Sequence, residues 1–239
     1  MRKIFSPLFI VFVLVFSCVC FAQKNEDISM LLGGMLKSDK WIIRKDAMEE
    51  EFKGHVRYEN ERYKLLADKV LSKRKVKKYE LTGNVLLSRK DGSTTLTLTA
   101  ARVYYDQNKD TGLANAAKKK QVKVVYVTPD NTYTLLADKV EFSKQASFCK
   151  ATGNVKITDK ENSLKAQSAT FDRISGIFEA LPQRPQVSGK NEDGSYALEA
   201  DKIIVDTKNG TIKAVGTAQG WLTLKKDLLT EENLKKLKD

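Results

Sequence analysis

Few side chains in this protein are suited to making or breaking bonds, and their spacing does not assemble them. There is one histidine, His55, and three cysteines, of which Cys18 and Cys20 lie in an apolar N-terminal run and Cys149 stands alone. Nucleophilic catalysis needs a base beside its nucleophile, and a zinc centre needs several Cys, His or carboxylate ligands together. Neither set can be built from these residues. The carboxylates are more regular. Asp68, Asp138 and Asp201 each precede a lysine, each follow a Leu-x-Ala triplet, and each is followed fifteen positions later by Gly83, Gly153 or Gly216. Paired carboxylates can do acid–base work, but an aspartate recurring at equivalent places reads as a structural hydrogen bond to the backbone. The basic clusters Lys118-Lys119-Lys120 and Arg74-Lys75-x-Lys77-Lys78 come without the aromatic array that stacks bases, so no nucleic acid is expected as partner. They read as solvated turns or as contacts for anionic head groups. The chain reads as non-enzymatic, and no cofactor or metal is implied.

The elements that carry the aspartates form a repeat. Leu65-x-Ala67 leads to Val70, Leu98-x-Ala100 to Val103 and Tyr105, and Leu135-x-Ala137 to Val140 and Phe142. Leu164-x-Ala166 leads to Ala169 and Phe171, and Leu198-x-Ala200 to Ile203 and Val205. In each copy the Leu and Ala share one parity and the later apolar residues the other. A strand of strict period two would send them to opposite faces, so burial of both sets predicts a slip near Ala137-Asp138 and its equivalents. A returning strand starts at Gly-Asn-Val, as in Gly153-Asn154-Val155, and Gly54-His55-Val56 reads as a shortened copy in which His55 ends a turn. Turn residues recur at Lys90-Asp91-Gly92, Asn108-Lys109-Asp110, Pro129-Asp130-Asn131, Lys160-Glu161-Asn162, Asn191-Glu192-Asp193-Gly194 and Lys208-Asn209-Gly210. Pro182 and Pro185 belong on an edge or in a connection. The pattern predicts an all-β, antiparallel, folded-over sheet with an apolar inside, a charged outside and open ends, near Trp41–Phe52 and Trp221–Lys225, that invite another copy to add.

Around this unit, residues 1–22 read as a secretory signal: Arg2 and Lys3, an apolar run from Ile4 to Phe21, and Ala22 before a polar stretch. An uncleaved membrane anchor and lipidation at Cys18 or Cys20 are the alternatives. Cleavage would lower the formal charge of +12 by two, leaving the chain basic and without a disulfide framework. Residues 23–40 read as a flexible leader, 41–226 as the β-domain, and 227–239 as a helical tail, with Thr230 able to cap a helix running to Leu237.

The phrases Ala67-Asp68-Lys69-Val70, Thr82-Gly83-Asn84-Val85, Ala137-Asp138-Lys139-Val140 and Thr152-Gly153-Asn154-Val155, preceded by Trp41-Ile42-Ile43, resemble the OstA-like (LptA) family over about residues 41–226. The resemblance implies a twisted β-jelly roll that transports lipopolysaccharide through the periplasm, holding the acyl chains of lipid A inside. Leu65, Val70, Leu98, Val103, Tyr105, Leu135, Val140, Phe142, Leu164, Phe171, Leu198, Ile203 and Val205 would then be the interior contacts. It further implies other OstA-like transport components at the inner and outer membranes as partners, and head-to-tail stacking of copies. An inner-membrane-anchored branch of the family, or an envelope scaffold that holds no lipid, are the alternative readings.

Overall fold

The computed structural model describes residues 34–224 except 119, 144–147, 173, 191–193, 207 and 210. The expected signal segment, the tail helix and the turn after Ser143 lie outside the described residues. The chain forms β1 (Met35–Lys37), β2 (Lys40–Arg44), β3 (Glu49–Glu59), β4 (Tyr63–Lys73), β5 (Lys78–Asp91), β6 (Thr94–Asp106), β7 (Thr111–Asn115), β8 (Val122–Val127) and β9 (Thr132–Ala137). It continues with β10 (Lys139–Ser143), β11 (Phe148–Thr158), β12 (Asn162–Asp172), β13 (Ile177–Leu181), β14 (Gln186–Lys190), β15 (Gly194–Glu199), β16 (Lys202–Asp206), β17 (Thr211–Val215) and β18 (Gln219–Leu224). Among the described residues a single 3-10 turn, Arg74–Val76, interrupts the strands. The strand pattern starts earlier than the sequence pattern indicated, because Met35, Leu36 and Lys37 pair with the far end of β3.

All pairings are antiparallel and sort into two sheets that share six long or bent strands. Sheet one runs β2, β3, β4, β5, β6, β7, β10, β11, β12, β13, β16, β17. Sheet two runs β1, β3, β4, β5, β6, β8, β9, β11, β12, β14, β15, β18. Strands β3 to β6, β11 and β12 belong to both, crossing from one to the other at a corner.

The corner is the slip the alternation demands. Pairing register shifts between Lys53 and Val56, Leu66 and Lys69, Thr82 and Val85, and Thr152 and Val155. There the chain enters the left-handed region twice in succession: Gly83 (φ 74°) then Asn84 (φ 45°), Gly153 (φ 78°) then Asn154 (φ 47°), and Gly54 (φ 72°) then His55 (φ 45°). Glycine and asparagine tolerate that region best, which is why this dipeptide marks the bend. The repeated aspartate secures it. A Cβ on Gly153 would lie 2.3 Å from Asp138 Oδ2, so the carboxylate packs where a side chain would stand, and Asn154 Nδ2 donates to the same oxygen at 2.8 Å. Asp68 repeats this with Gly83 and Asn84, and Asp201 accepts the Thr217 amide at 2.7 Å beside Gly216. The shortened copy at Gly54-His55-Val56 has its aspartate too, which the sequence pattern did not single out: Asp39 packs on Gly54 and meets His55 Nδ1 at 2.7 Å.

Two copies lack this device, and there the returning strand is cut, as it also is beside Gly216 between β17 and β18. Between β7 and β8 residues 116–118 and 120–121 lie outside the sheets, and between β13 and β14 the chain passes through Pro182–Pro185, with Gln183 (φ 68°) and Arg184 (φ 53°) left-handed. The two prolines therefore sit in a connection, as their missing N–H groups require.

Candidate functional site: the interior of the roll

Because the parity slips at every corner, both sheets turn an apolar face to the same side. In sheet one, register partners carry one inward row from Trp41 through Phe52, Val70, Leu81, Val103 and Ala114 to Val140, then through Ala151, Ala169, Ala180 and Ile203 to Ala214. In sheet two the facing row runs from Leu36 through Tyr58, Leu65, Leu87, Leu98 and Val124 to Leu135, then through Ile157, Leu164, Val187 and Leu198 to Gly220. Each row crosses all twelve strands of its sheet. Residues of the two rows pack into one hydrophobic cluster, so the walls face each other.

All thirteen residues named from the sequence as interior lie on these rows or on the neighbouring inward row of sheet one. Leu135, Val140, Leu164 and Ile203 are completely excluded from solvent, and Phe171, Val103 and Val205 nearly so. Leu65, Val70, Tyr105, Phe142 and Leu198 are only partly covered, and Leu98 is buried. The exposure follows position. Along the two rows the middle of the roll is closed, from Val140 to Ile203 on sheet one and from Val124 to Val187 on sheet two. The ends are open: Trp41 is 59% exposed although its ring stacks on Phe52 at 5.5 Å, and Leu222 is 59% exposed at the other end. The intervening partners, such as Tyr58, Val124, Ala151 and Val187, were not singled out by the repeat because they stand between its copies.

Away from the corner, toward the hairpin turns, the inward residues become amphipathic. Tyr79, Tyr105 and Phe142 stack in succession with centroids 6.3 and 6.5 Å apart on sheet one, and Tyr126 and Tyr133 stack at 6.2 Å on sheet two. Gly112 leaves the room that the Phe142 ring fills; a Cβ there would lie 1.8 Å from it. The hydroxyls reach the rim: Tyr105 donates to Asp110 at 2.7 Å, Tyr79 to Gln107 at 3.3 Å and Tyr196 to Asn162 at 2.9 Å. Burial, followed by the Asp110 hydrogen bond, pushes the Tyr105 hydroxyl well above the usual phenol range. The aromatic bodies thus border an apolar space and the polar tips border water, the disposition tyrosine adopts at an apolar–aqueous boundary.

The acidic run Glu49-Glu50-Glu51 is divided by alternation. Glu50 turns inward at the rim and pairs with Arg74. Glu51 turns outward, yet its side chain is only 4% exposed, because Lys69 (2.6 Å), Arg44 (2.6 Å) and Lys53 (3.2 Å) close over it. Hydrogen bonds from Lys69 and Arg44 lower its carboxyl to a pKa of about 2. Among the described residues the open edges are β1 and β2 at one end and β17 and β18 at the other, each with one strand neighbour.

Comparison with known proteins gives two findings. A model of the LptA/(LptD N-terminal domain) LPS transport protein family matches residues 35–177, more than half of the chain. Among solved structures, the chain is similar to that of LptH, the LptA-homologous periplasmic component of the conserved lipopolysaccharide transport device from Pseudomonas aeruginosa. That likeness has 8% identity and a TM-score of 0.30, over 80% of this chain and 94% of that one. No curated protein matches.

Proposed function

This chain belongs to the LptA/LptD N-terminal-domain family of lipopolysaccharide transport proteins, and from that premise we propose that it is a periplasmic carrier whose two walls clasp the acyl chains of lipid A. The observation that carries the reading is the pair of facing inward rows that run from one open edge of the roll to the other without a charged residue. Energetics favour the interior over the basic surface. Burying about ten methylenes of one acyl chain is worth ~8 kcal/mol. An exposed lysine–phosphate contact contributes about 0–1 kcal/mol.

The closed middle and open ends say how a chain would enter. An acyl chain has room beside Leu65, Val70 and Leu87, which are partly exposed, and reaches Val140 only if the walls part. The tyrosines at the rim would then lie at the depth of the head group. The uncapped rows at Trp41, Ile43 and Leu222 support the second half of the proposal, that copies stack end to end and join other family members at both membranes. A photoreactive residue at Val140 or Phe142 tests the carrier role. A lipopolysaccharide adduct at these positions supports it, and a protein that assembles without any adduct would be a scaffold.

A further inference from the structure

The hairpin turns along the two rims of the roll differ in what they expose. On the rim of sheet one, three neighbouring turns of four residues join β2 to β3 (residues 45–48), β4 to β5 (residues 74–77) and β6 to β7 (residues 107–110). Hydrogen bonds tie them into one platform. The Arg74 amide donates to the Met48 carbonyl (2.9 Å), the Gln107 amide to the Lys77 carbonyl (2.9 Å) and Asn108 Nδ2 to the Val76 carbonyl (3.1 Å). From this platform project Met48, 54% exposed, and Val76, 41% exposed. Around them Lys45, Lys73, Lys75, Lys77 and Lys109 are exposed, and none has an ion-pair partner among the described residues. Most nearby acids are engaged: Glu49 with Arg44, Glu50 with Arg74, Asp106 with Lys78, and Asp110 with the Tyr105 hydroxyl, which leaves Asp46. The described turns on the rim of sheet two expose acids instead, Glu61, Asp130 and Glu161 beside Arg62 and Lys160, and hold no Leu, Ile, Val, Met or aromatic residue.

Turn chemistry does not account for Met48. Each of the three turns ends on a residue in the left-handed region, Met48 (φ 51°), Lys77 (φ 50°) and Asp110 (φ 49°), and the turn between β12 and β13 puts Gly176 (φ 75°) there. Glycine, asparagine and aspartate tolerate that region best. A methionine there carries backbone strain and, more than half exposed, gains little packing in return. Adjacent hairpins lie two strands apart, about 10 Å. Met48 and Val76 therefore stand singly among cations. A protein partner would need a desolvated pocket for its anchoring side chains. A fluid bilayer surface takes separate apolar tips between its lipids, while its phosphates face the surrounding lysines.

We propose that this three-turn rim of sheet one docks on the surface of an anionic phospholipid bilayer, with Met48 and Val76 entering the interface and the five lysines facing lipid phosphates. The cluster Arg74-Lys75-x-Lys77-Lys78 thereby has a role beyond that of a solvated turn. Tyr79 and Tyr105 donate to Gln107 and Asp110 of the same platform, so docking holds the rim of the interior at the membrane. The open edges β17 and β18 lie at the other end of the roll and take no part. The contact is with phospholipid and does not depend on what the interior holds.

Vesicle flotation of the full chain tests this. The protein should bind vesicles of phosphatidylcholine containing about one-third phosphatidylglycerol, come off them as salt is added, and ignore pure phosphatidylcholine. Lys45→Gln/Lys75→Gln/Lys77→Asn should weaken binding about 100-fold, near fivefold for each lysine. Met48→Asn/Val76→Ser should weaken it about tenfold with the salt dependence kept. Met48→Asn alone should raise the melting temperature, since asparagine suits the left-handed position. Lys123→Gln/Lys165→Gln, on the outer face of sheet two, should change nothing. The proposal is overturned if anionic vesicles do not bind, if the lysine variant binds them as tightly as the parent, or if Met48→Asn destabilises the fold, which would make the methionine a packing residue. It is also overturned if polyglutamate binds as tightly as the vesicles and the apolar variant changes nothing, which would make the partner an acidic protein. The vesicles contain no lipopolysaccharide, so their failure to bind would leave crosslinking at Val140 untouched, and the absence of crosslinks would leave this result standing.

Discussion

Gly153→Ala examines the corner that allows both walls to face inward. The new Cβ would have to adopt a φ of +78° and occupy a point 2.3 Å from Asp138 Oδ2. The left-handed backbone costs an L-residue about 1–2 kcal/mol. Displacing the carboxylate forfeits the Asn154 hydrogen bond at 2.8 Å, worth about 1 kcal/mol at this exposed place. The variant should therefore lose about 2–3 kcal/mol, a fall in Tm of roughly 4–12 °C for a domain of this size. Asp138→Ala alone should lose about 1 kcal/mol, since the backbone bonds from the Asp138 amide to the carbonyls of Thr152 (3.1 Å) and Gly153 (2.9 Å) remain. In the double variant the clash is gone and only the backbone strain and one lost contact remain. Urea unfolding of the four proteins should show the double falling short of the sum of the singles by about 1 kcal/mol. Strict additivity would refute the claim that the aspartate and the glycine form one packed unit.

Three further outcomes follow from the same geometry. Val140→Arg or Phe171→Asp buries an unpaired charge at a fully enclosed position, so denaturant midpoints should fall steeply, by several kcal/mol, with lipid binding lost; retention of both stability and lipid binding would mean the inward parity is wrong. Glu51 has its pKa lowered, so its contribution to stability is complete above the unfolded-state value near 4.3 and disappears as pH falls toward about 2; thermal melts of the parent and Glu51→Gln should differ at pH 6 and converge near pH 2. His55 has its pKa raised, chiefly by its hydrogen bond to Asp39, so its contribution is complete below about 6.5 and is lost as pH rises through the higher folded value. Replacing it with the asparagine found at the other corners should flatten that dependence, and an unchanged profile would remove His55 from the account.

Much of this architecture is visible in the residue pattern because the corner is a local event. Leu135 and Val140 cannot both be buried on a regular strand, and the glycine fifteen residues beyond Asp138 marks where the partner strand bends. The Asp39 corner obeys the same spacing to Gly54 but lacks the Leu-x-Ala that announces the others, and His55 in the asparagine position disguises it further. The separation of β7 from β8 and of β13 from β14 was not legible, since Ala116 and Pro182 stand where the corner glycine would be and a missing glycine does not say how the chain continues. Nor could alternation reveal how tightly the middle of the roll closes, because that depends on how the side chains of both walls, Phe171, Phe178 and Ile157 among them, fill one buried cluster. The fate of Glu49-Glu50-Glu51 was hidden for a related reason: charge on consecutive positions erases the contrast between inside and outside on which the reading depends.

The central claim is that lipid lies between the walls, and the sequence supplies its own control in pairs of neighbouring leucines. Leu65, Leu87 and Leu135 point inward, while Leu66, Leu86 and Leu136 occupy the outward rows beside them. Lipopolysaccharide carrying a nitroxide near the end of an acyl chain, added to methyl-labelled protein, should broaden the methyl resonances of Leu65, Leu87 and Leu135 and spare those of their neighbours. Equal broadening of both members of each pair, or broadening confined to Leu66, Leu86 and Leu136, would place the lipid outside the roll and contradict the account.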